Sequence, residues 1–280
     1  MIRVILQGRT GNNLFQYAAG RALAIRHDTD LQLDVSWSGP DRAQMRQIER
    51  LPICAKLVNR HSVLKRGIRR LTGIGPQTWH RGTFYEKKGP GPGFREEVME
   101  LPDNTLLSGF FHHERYFSGI EPIIRKEIDL DFIELSDASN RTLDLARSGR
   151  MTSVHVRRGD YMNIPGTQCV DAAYHTKACD HLRERFEKMS FLVFSDDIAW
   201  CRRNFSGNDY HFCDHPEASQ DPFHDLRLMA SCAHHIIMNS TYSWWGAWLN
   251  PSSKKTVIAP KTWMRGVPAN QIMPESWILI

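Results

Sequence analysis

The chain contains no apolar run approaching the roughly 20 residues that a membrane-spanning helix needs. Its opening, Met1-Ile2-Arg3-Val4-Ile5-Leu6, meets Gly8 too early to be a signal peptide, and no small-residue cleavage site follows. A cytoplasmic protein is expected. No low-complexity tract interrupts the 280 residues, so a folded globular chain is expected. None of the six cysteines, Cys54, Cys169, Cys179, Cys201, Cys213 and Cys232, forms a C-x-x-C pair. Their scatter argues against a zinc knuckle, and a chain of this length needs no disulfide staples. They read as reduced thiols. A large excess of one charge is also missing. The net charge is +5, with thirteen histidines beside it, which favours anionic partners without selecting among them.

What is present is a series of short apolar strands, each followed by a polar cluster. The length accommodates two domains of about 130 residues. We place the boundary near residue 150, giving units 1–150 and 151–280. Arg3 to Gln7 reads as a buried strand, and Gly8-Arg9-Thr10-Gly11-Asn12-Asn13 as a loop. Leu14, Phe15, Tyr17, Ala18, Ala22 and Leu23 then recur at helical spacing. Strand, Gly-rich loop and helix open an α/β nucleotide-binding unit, because the glycines admit a ligand and the helix N-terminus offers unpaired N–H groups. The glycine spacing is neither a Walker loop nor G-x-G-x-x-G.

Further strands are expected at Leu31 to Val35 and Thr105 to Phe111. In the second half they fall at Ser153 to Val156, Phe191 to Phe194, His235 to Met238 and Thr256 to Pro260. Helices are expected over Ala173 to Lys188, Ile198 to Phe205, Asp225 to His235 and Trp244 to Leu249. Residues 56–88 carry nine Lys or Arg against one acid, Glu86. This stretch reads as a solvated face or as a peripheral contact with an anionic membrane surface. It lacks the interleaved aromatics of a nucleic-acid site, and no nucleic-acid partner is expected. His112, His113 and Glu114 are adjacent, so their side chains diverge, and a structural or acceptor-side role outweighs a metal site.

The stretch from Ser153 to Tyr161 concentrates the chemistry. Val154 and Val156 alternate with Ser153, His155 and Arg157, which suits a strand ending at Gly159. Arg157 and Arg158 are adjacent, so alternation points one at a ligand and the other at a carboxylate such as Asp160. Guanidinium forks match phosphate oxygens. Ser195, Asp196 and Asp197 follow the next strand, with Ser195 or Asp196 near a helix N-cap. Asn239, Ser240, Thr241, Tyr242 and Ser243 follow another. Ligands of open α/β sheets bind at the carboxyl ends of strands, so these clusters are expected to share one site. The two aspartates either hold a divalent metal on a diphosphate or accept the N1–H and N2–H₂ of guanine.

Asn239-Ser240-Thr241-Tyr242-Ser243-Trp244-Trp245-Gly246-Ala247-Trp248-Leu249, with His155-Val156-Arg157-Arg158-Gly159-Asp160-Tyr161 and Phe194-Ser195-Asp196-Asp197, resembles the α-1,2-fucosyltransferases of glycosyltransferase family 11. The segment Gly11-Asn12-Asn13-Leu14-Phe15-Gln16-Tyr17-Ala18 resembles the family's N-terminal motif. The resemblance implies a GT-B architecture of two Rossmann-like domains facing across a cleft. It implies an inverting, metal-independent transfer from GDP-β-L-fucose to a galactose-containing glycan, with no cofactor. His155 and Asp197 would lie near guanine. Arg157 or Arg158 would hold the diphosphate, and Ser240, Thr241 and Tyr242 would complete the pocket. Gly11 and Asn12 would approach the sugar-phosphate. Asp160 would serve either as base or as a brace for an arginine. The family's usual Gly-Gly-Leu-Gly-Asn-Gln start reads Gly8-Arg9-Thr10-Gly11-Asn12-Asn13 here, which adds a charge and shortens an amide. A GDP-sugar transferase of other linkage and a non-catalytic glycan- or nucleotide-binding module are the competing readings.

Overall fold

The computed structural model describes residues 1–36, 46–59, 82–86, 93–167 and 170–280. Most of the basic stretch 56–88 lies outside the described residues, so its proposed membrane contact does too, as does Cys169. The chain divides into two compact units, Met1–Asp129 and Leu130–Ile280.

The first unit holds a five-stranded sheet. Its strands are β1 (Ile2–Ile5), β2 (Leu31–Asp34), β3 (Lys56–Val58), β4 (Thr83–Glu86) and β5 (Thr105–Ser108). Their order across the sheet is β3-β2-β1-β5-β4, and every pairing is parallel. β1 and β5 are buried along their whole lengths, as expected when a parallel sheet is covered on both faces. The Thr10–Arg26 helix follows β1 directly and presents Leu14, Phe15, Tyr17, Ala18 and Leu23 to the core.

The second unit holds a six-stranded sheet: β6 (Met151–Val156), β7 (Ser190–Ser195), β8 (Tyr210–Cys213), β9 (His234–Ile236), β10 (Val257–Ala259) and, last in the chain, β13 (Ile278–Leu279). A two-stranded hairpin, β11 (Thr262–Met264) with β12 (Val267–Pro268), stands beside it. The sheet order β13-β10-β9-β6-β7-β8 is wholly parallel. Numbered from β6 as strand one, this is the 3-2-1-4-5-6 order of a dinucleotide-binding fold. β6 is central and buried throughout, so Ser153 and His155 lie inside the protein rather than on a half-wet face. Val154, Val156, Phe191, Val193, Ile236 and Ile258 form the sheet's contribution to the core.

The division at residue 129 corrects the boundary expected near 150. The Asp137–Ala146 helix packs on β6 and on the His224–Ala230 helix, all within the second unit. One buried linkage fastens it. His224 Nδ1–H donates to Asp225 Oδ1 at 3.0 Å, and His224 Nε2 meets the Ser139 hydroxyl at 2.9 Å. The three resemble a hydrolase triad, but Ser139 is fully buried and its hydroxyl also accepts from Ser136 at 3.1 Å. No substrate reaches it, so the cluster is a helix clamp.

The expected helix from Asp225 to His235 is shorter, His224–Ala230, because the chain turns at Ser231 and Cys232 to enter β9. β8, Tyr210-His211-Phe212-Cys213, is only four residues long and is not among the expected strands. It forms because Phe191 to Phe194 of β7 offer it a parallel partner. Among the described residues no helix is long and apolar enough to cross a membrane.

Candidate active site

In the second sheet the strand order reverses between β6 and β9. Loops leaving those two strands diverge to opposite sides and open a crevice at their carboxyl ends. The segment 157–161 leaves β6 there, and 237–243 leaves β9. Ser195, Asp196 and Asp197 leave β7, the next neighbour of β6. Tertiary contacts join all three clusters.

Arg157 and Arg158 lie beyond the end of β6, and strand alternation does not govern them. Alternation assigned a carboxylate to one arginine and a ligand to the other; in the structure each has its own carboxylate. Arg157 donates to Asp160 Oδ1 from Nε at 2.9 Å and from Nη2 at 2.8 Å. Its guanidinium lies 5.2 Å from the centre of the Tyr161 ring. Burial opposes its charge, but the Asp160 hydrogen bond and the Asp160 and Asp196 charges outweigh that, so its pKa is raised. Arg158 Nε reaches Asp197 Oδ2 at 3.3 Å, and its guanidinium stacks 4.3 Å from the centre of a Trp200 ring. Both side chains keep partial exposure, 19% for Arg157 and 28% for Arg158. They are oriented cations at the surface of a crevice.

The helix cap after β7 falls on Asp197, not on Ser195 or Asp196. Asp197 Oδ1 accepts from the Trp200 amide at 2.9 Å, which starts the Ile198–Asn204 helix. That hydrogen bond, with Arg158, holds the Asp197 carboxyl below the usual carboxylate range. Ser195 Oγ accepts from the Asp197 amide at 2.9 Å and so shapes the turn. Asp196 Oδ1 accepts from the Arg158 amide at 2.8 Å, tying the β6 exit to the β7 exit. Gly159 permits this: a Cβ there would lie 2.8 Å from Asp196 Oδ2.

Asn239 and Tyr242 also fasten neighbouring segments together. The Asn239 side-chain nitrogen donates to the carbonyls of Thr167 and Trp263, each at 2.8 Å, and the Asn239 main-chain carbonyl accepts from the Tyr161 hydroxyl at 3.0 Å. The Tyr242 hydroxyl donates to the Pro222 carbonyl at 2.8 Å. Ser240 is the N-cap residue of the Thr241–Leu249 helix, whose first turn includes Thr241 and Tyr242. That turn lies at the reversal point, with the Ser240 amide donating to the Met238 carbonyl at 2.7 Å. His155 is 6% exposed, with a ring centre 5.8 Å from that of Tyr242. Its Nδ1 is buried without a hydrogen-bond partner. Burial pushes its pKa down to about 3, with Arg157 and His175 adding to the shift, so the ring is neutral at ordinary pH.

Sequence reasoning passed over Trp200 and Met238. Trp200 carries the Arg158 guanidinium, and Met238 Sδ accepts from the Arg157 amide at 2.7 Å. The Trp200 signal was available, since a residue three places after an N-cap is held beside it.

Gly11 and Asn12 lie in the first unit, at the start of the Thr10–Arg26 helix. Gly8 takes φ +73°, and a Cβ on it would strike the Asn12 side chain. Asn12 Oδ1 accepts from His112 Nε2 at 2.9 Å. The unusual Asn13 is internal. It is 1% exposed, and its amide donates to the Gln7 carbonyl at 3.1 Å and to Gln16 Oε1 at 3.2 Å. The shortened amide therefore serves the loop. His113 Nδ1 accepts from the Arg115 amide at 3.1 Å, away from any shared metal geometry with His112. Among the described residues no three His, Cys, Asp or Glu side chains are grouped to hold a metal ion.

The sequence profile of glycosyl transferase family 11 matches residues 91–279, which span both units. The chain belongs to glycosyl transferase family 11. This family 11 chain is 29% identical over 299 residues to an α-1,2-colitosyltransferase of Escherichia coli, covering 98% of itself and 97% of that protein. It is 36% identical over 168 residues to the galactoside α-(1,2)-fucosyltransferase 1 of Saimiri sciureus, covering 55% of itself and 45% of that protein. In structure it is similar to ADP-heptose LPS heptosyltransferase II of Escherichia coli, with a TM-score of 0.52 at 11% identity, covering all of this chain and 90% of that one. That likeness is one of fold, and with the two parallel sheets it places this glycosyltransferase in the expected GT-B class.

Proposed function

We propose that the protein transfers L-fucose from GDP-β-L-fucose to the 2-hydroxyl of a galactoside, with inversion and without a metal ion, in the synthesis of a surface glycan. The observation that carries this reading is the pair of braced arginines, Arg157 on Asp160 and Arg158 on Asp197, at the strand-order reversal of a dinucleotide-binding sheet. A nucleoside diphosphate leaving group develops negative charge as the C1–O bond to phosphate breaks. Two oriented guanidinium groups supply the compensating charge. The acceptor 2-hydroxyl forms the new bond at C1 from the opposite face as GDP departs, which converts β to α, and its proton passes to water.

Asp160 braces Arg157 in this scheme, because one of its oxygens already takes both guanidinium contacts. His155 and Asp197 border the guanine, Ser195 and Asp196 hold the β7 exit against Arg158, and Asn239 and Tyr242 support the pocket wall. The family resemblance assigns Gly11 and Asn12 to the sugar-phosphate. Changing Arg157 or Arg158 to Ala should lower kcat tenfold to a hundredfold, about 1.4–2.7 kcal/mol of transition-state stabilisation. Near-normal turnover in both variants would remove the diphosphate assignment.

The decisive assay incubates the protein with GDP-fucose and lactose or N-acetyllactosamine in the presence of EDTA. An α-1,2-linked product is expected. Neither product nor donor hydrolysis across several galactosides would refute the reading. A second donor is favoured by the full-length similarity to a colitosyltransferase. Colitose is fucose without its 3-hydroxyl. A site that hydrogen-bonds that hydroxyl rejects the deoxy sugar by about 10⁴-fold, and one that does not accepts both. Parallel assays with GDP-fucose and GDP-colitose separate these outcomes.

A further inference from the structure

The first sheet has its own strand-order reversal, between β1 and β5, and an aromatic side chain stands exposed there. Gly109, Phe110, Phe111 and His112 leave the carboxyl end of β5. Gly109 takes φ +147° and Phe111 takes φ +51°. Left-handed backbone at a bulky residue costs about 1–2 kcal/mol. Phe111 offsets that by burying its ring completely, edge-on to Tyr116 at 5.5 Å between centres. The consequence is that the neighbouring Phe110 is turned outward and is 40% exposed.

Phe110 is held flat rather than left loose. Its ring stacks on His112 at 5.3 Å with an interplanar angle of 22°. His112 is wedged in turn against Phe15 at 5.2 Å, and its Nε2–H donates to Asn12 Oδ1 at 2.9 Å. Asn12 sits under the Gly8 turn that leaves β1. Gln16 Nε2 donates to the Gly109 carbonyl at 3.0 Å, fixing the base of the β5 exit to the same helix. A rigid, exposed aromatic face therefore lies among the polar groups of Asn12 and His112, at the place where an open α/β sheet binds its ligand. A burial requirement alone would not place a phenyl ring there, since leaving it 40% exposed forgoes about 1 kcal/mol of burial.

We propose that Phe110, backed by His112 and Asn12, is the platform for a pyranose ring of the acceptor glycan. The apolar C–H face of a pyranoside such as β-galactose lies on the phenyl ring, while its hydroxyls reach the polar groups beside it. The inference rests on membership of a glycosyltransferase family and on the reading that the acceptor is a glycan. It does not depend on which sugar nucleotide is the donor.

The test uses the full chain with Phe110→Ala and Phe110→Tyr, and reads binding without turnover. Saturation-transfer NMR is recorded with methyl β-galactoside, methyl β-glucoside and lactose, in parallel with titration of GDP. The wild type should saturate the C–H protons of at least one pyranoside. Phe110→Ala should lose that signal and raise the acceptor KM at least tenfold, Phe110→Tyr should retain both, and GDP affinity should be unchanged in each. No pyranoside signal in the wild type, an unchanged signal in Phe110→Ala, or an equal loss of GDP binding would overturn the proposal. Phe110-dependent binding of a pyranoside by a protein that does not consume GDP-fucose supports the platform and refutes the donor reading alone.

Discussion

Arg157 and Arg158 are separated in role by their partners. Arg157 is the more enclosed and is held twice by a carboxylate three residues away in the same turn. Arg158 depends on a different strand, through Asp196, Asp197 and Trp200. Gly159 sits where those two arrangements meet. Replacing it with Ala would place a methyl 2.8 Å from Asp196 Oδ2. That atom is the far end of a side chain, so the fold can yield by moving it. The carboxylate would then release the Arg158 amide. We expect Gly159→Ala to cost about 1.5–3 kcal/mol, the value of one hydrogen bond to a charged group, and so to lower the thermal midpoint by several degrees, and to raise the donor KM about tenfold. A KM equal to wild type would show that the Asp196 tie does not position Arg158.

At the scale of elements, the Thr241–Leu249 helix is organised by burial. Trp244, Trp245 and Trp248 are each 3% exposed or less, and Trp244 and Trp245 meet edge-on at 5.2 Å. A helix this enclosed needs its terminal carbonyls satisfied internally. Lys255 does this from beyond the helix end. Its ammonium donates to the carbonyls of Ala247 at 2.8 Å and Asn250 at 2.6 Å, with Trp248 at 3.4 Å. Lys255→Met keeps the stem and removes the donors. It should cost about 2 kcal/mol, the value of charge-assisted hydrogen bonds, and lower the thermal midpoint by about 4–8 °C. An unchanged midpoint would mean that water replaces the ammonium. Because the same helix starts at Ser240, the loss should also weaken GDP binding.

At the scale of the whole molecule, several histidines enter the fold as neutral groups. Burial lowers the pKa of His155 to about 3, with Arg157 and His175 contributing. It lowers His175 as well, and carries His235 well below the ordinary value, with Lys255 and His234 adding to the latter. His235 is held between Ser153 at 2.8 Å and Asn250 at 2.9 Å, which suits a neutral ring. In the unfolded chain each would take a proton near pH 6.5. Between that value and the folded pKa the unfolded state binds more protons, so stability rises with pH through this window. His155 alone would cost about 2 kcal/mol at pH 5 relative to pH 8. Denaturation midpoints should climb from pH 5 to 7 and level above about pH 7.5. A flat profile from pH 5 to 7 would contradict the neutral burial of these rings.

The sequence by itself determined the strands that are buried on both faces and the polar clusters that follow them. Continuous apolar runs such as Phe191 to Phe194, and the tryptophan-rich run after Ser240, have few solutions other than burial, so their place in the core was legible. It also determined the kind of site, because strand ends in a parallel sheet converge whatever the loops between them do. What only the tertiary structure decided was which oxygen meets which nitrogen. Asp196 became a tie, and Asn239 and Tyr242 clamps, since hydrogen bonds are short-ranged and these partners lie 20 to 78 residues away. The unit boundary at residue 129 likewise reflects the packing of the Asp137–Ala146 helix on β6 and on the His224–Ala230 helix, which no local pattern announces. Exposure of Phe110 came from the backbone angle of its neighbour, a property set by how Phe111 is buried and not by any residue type.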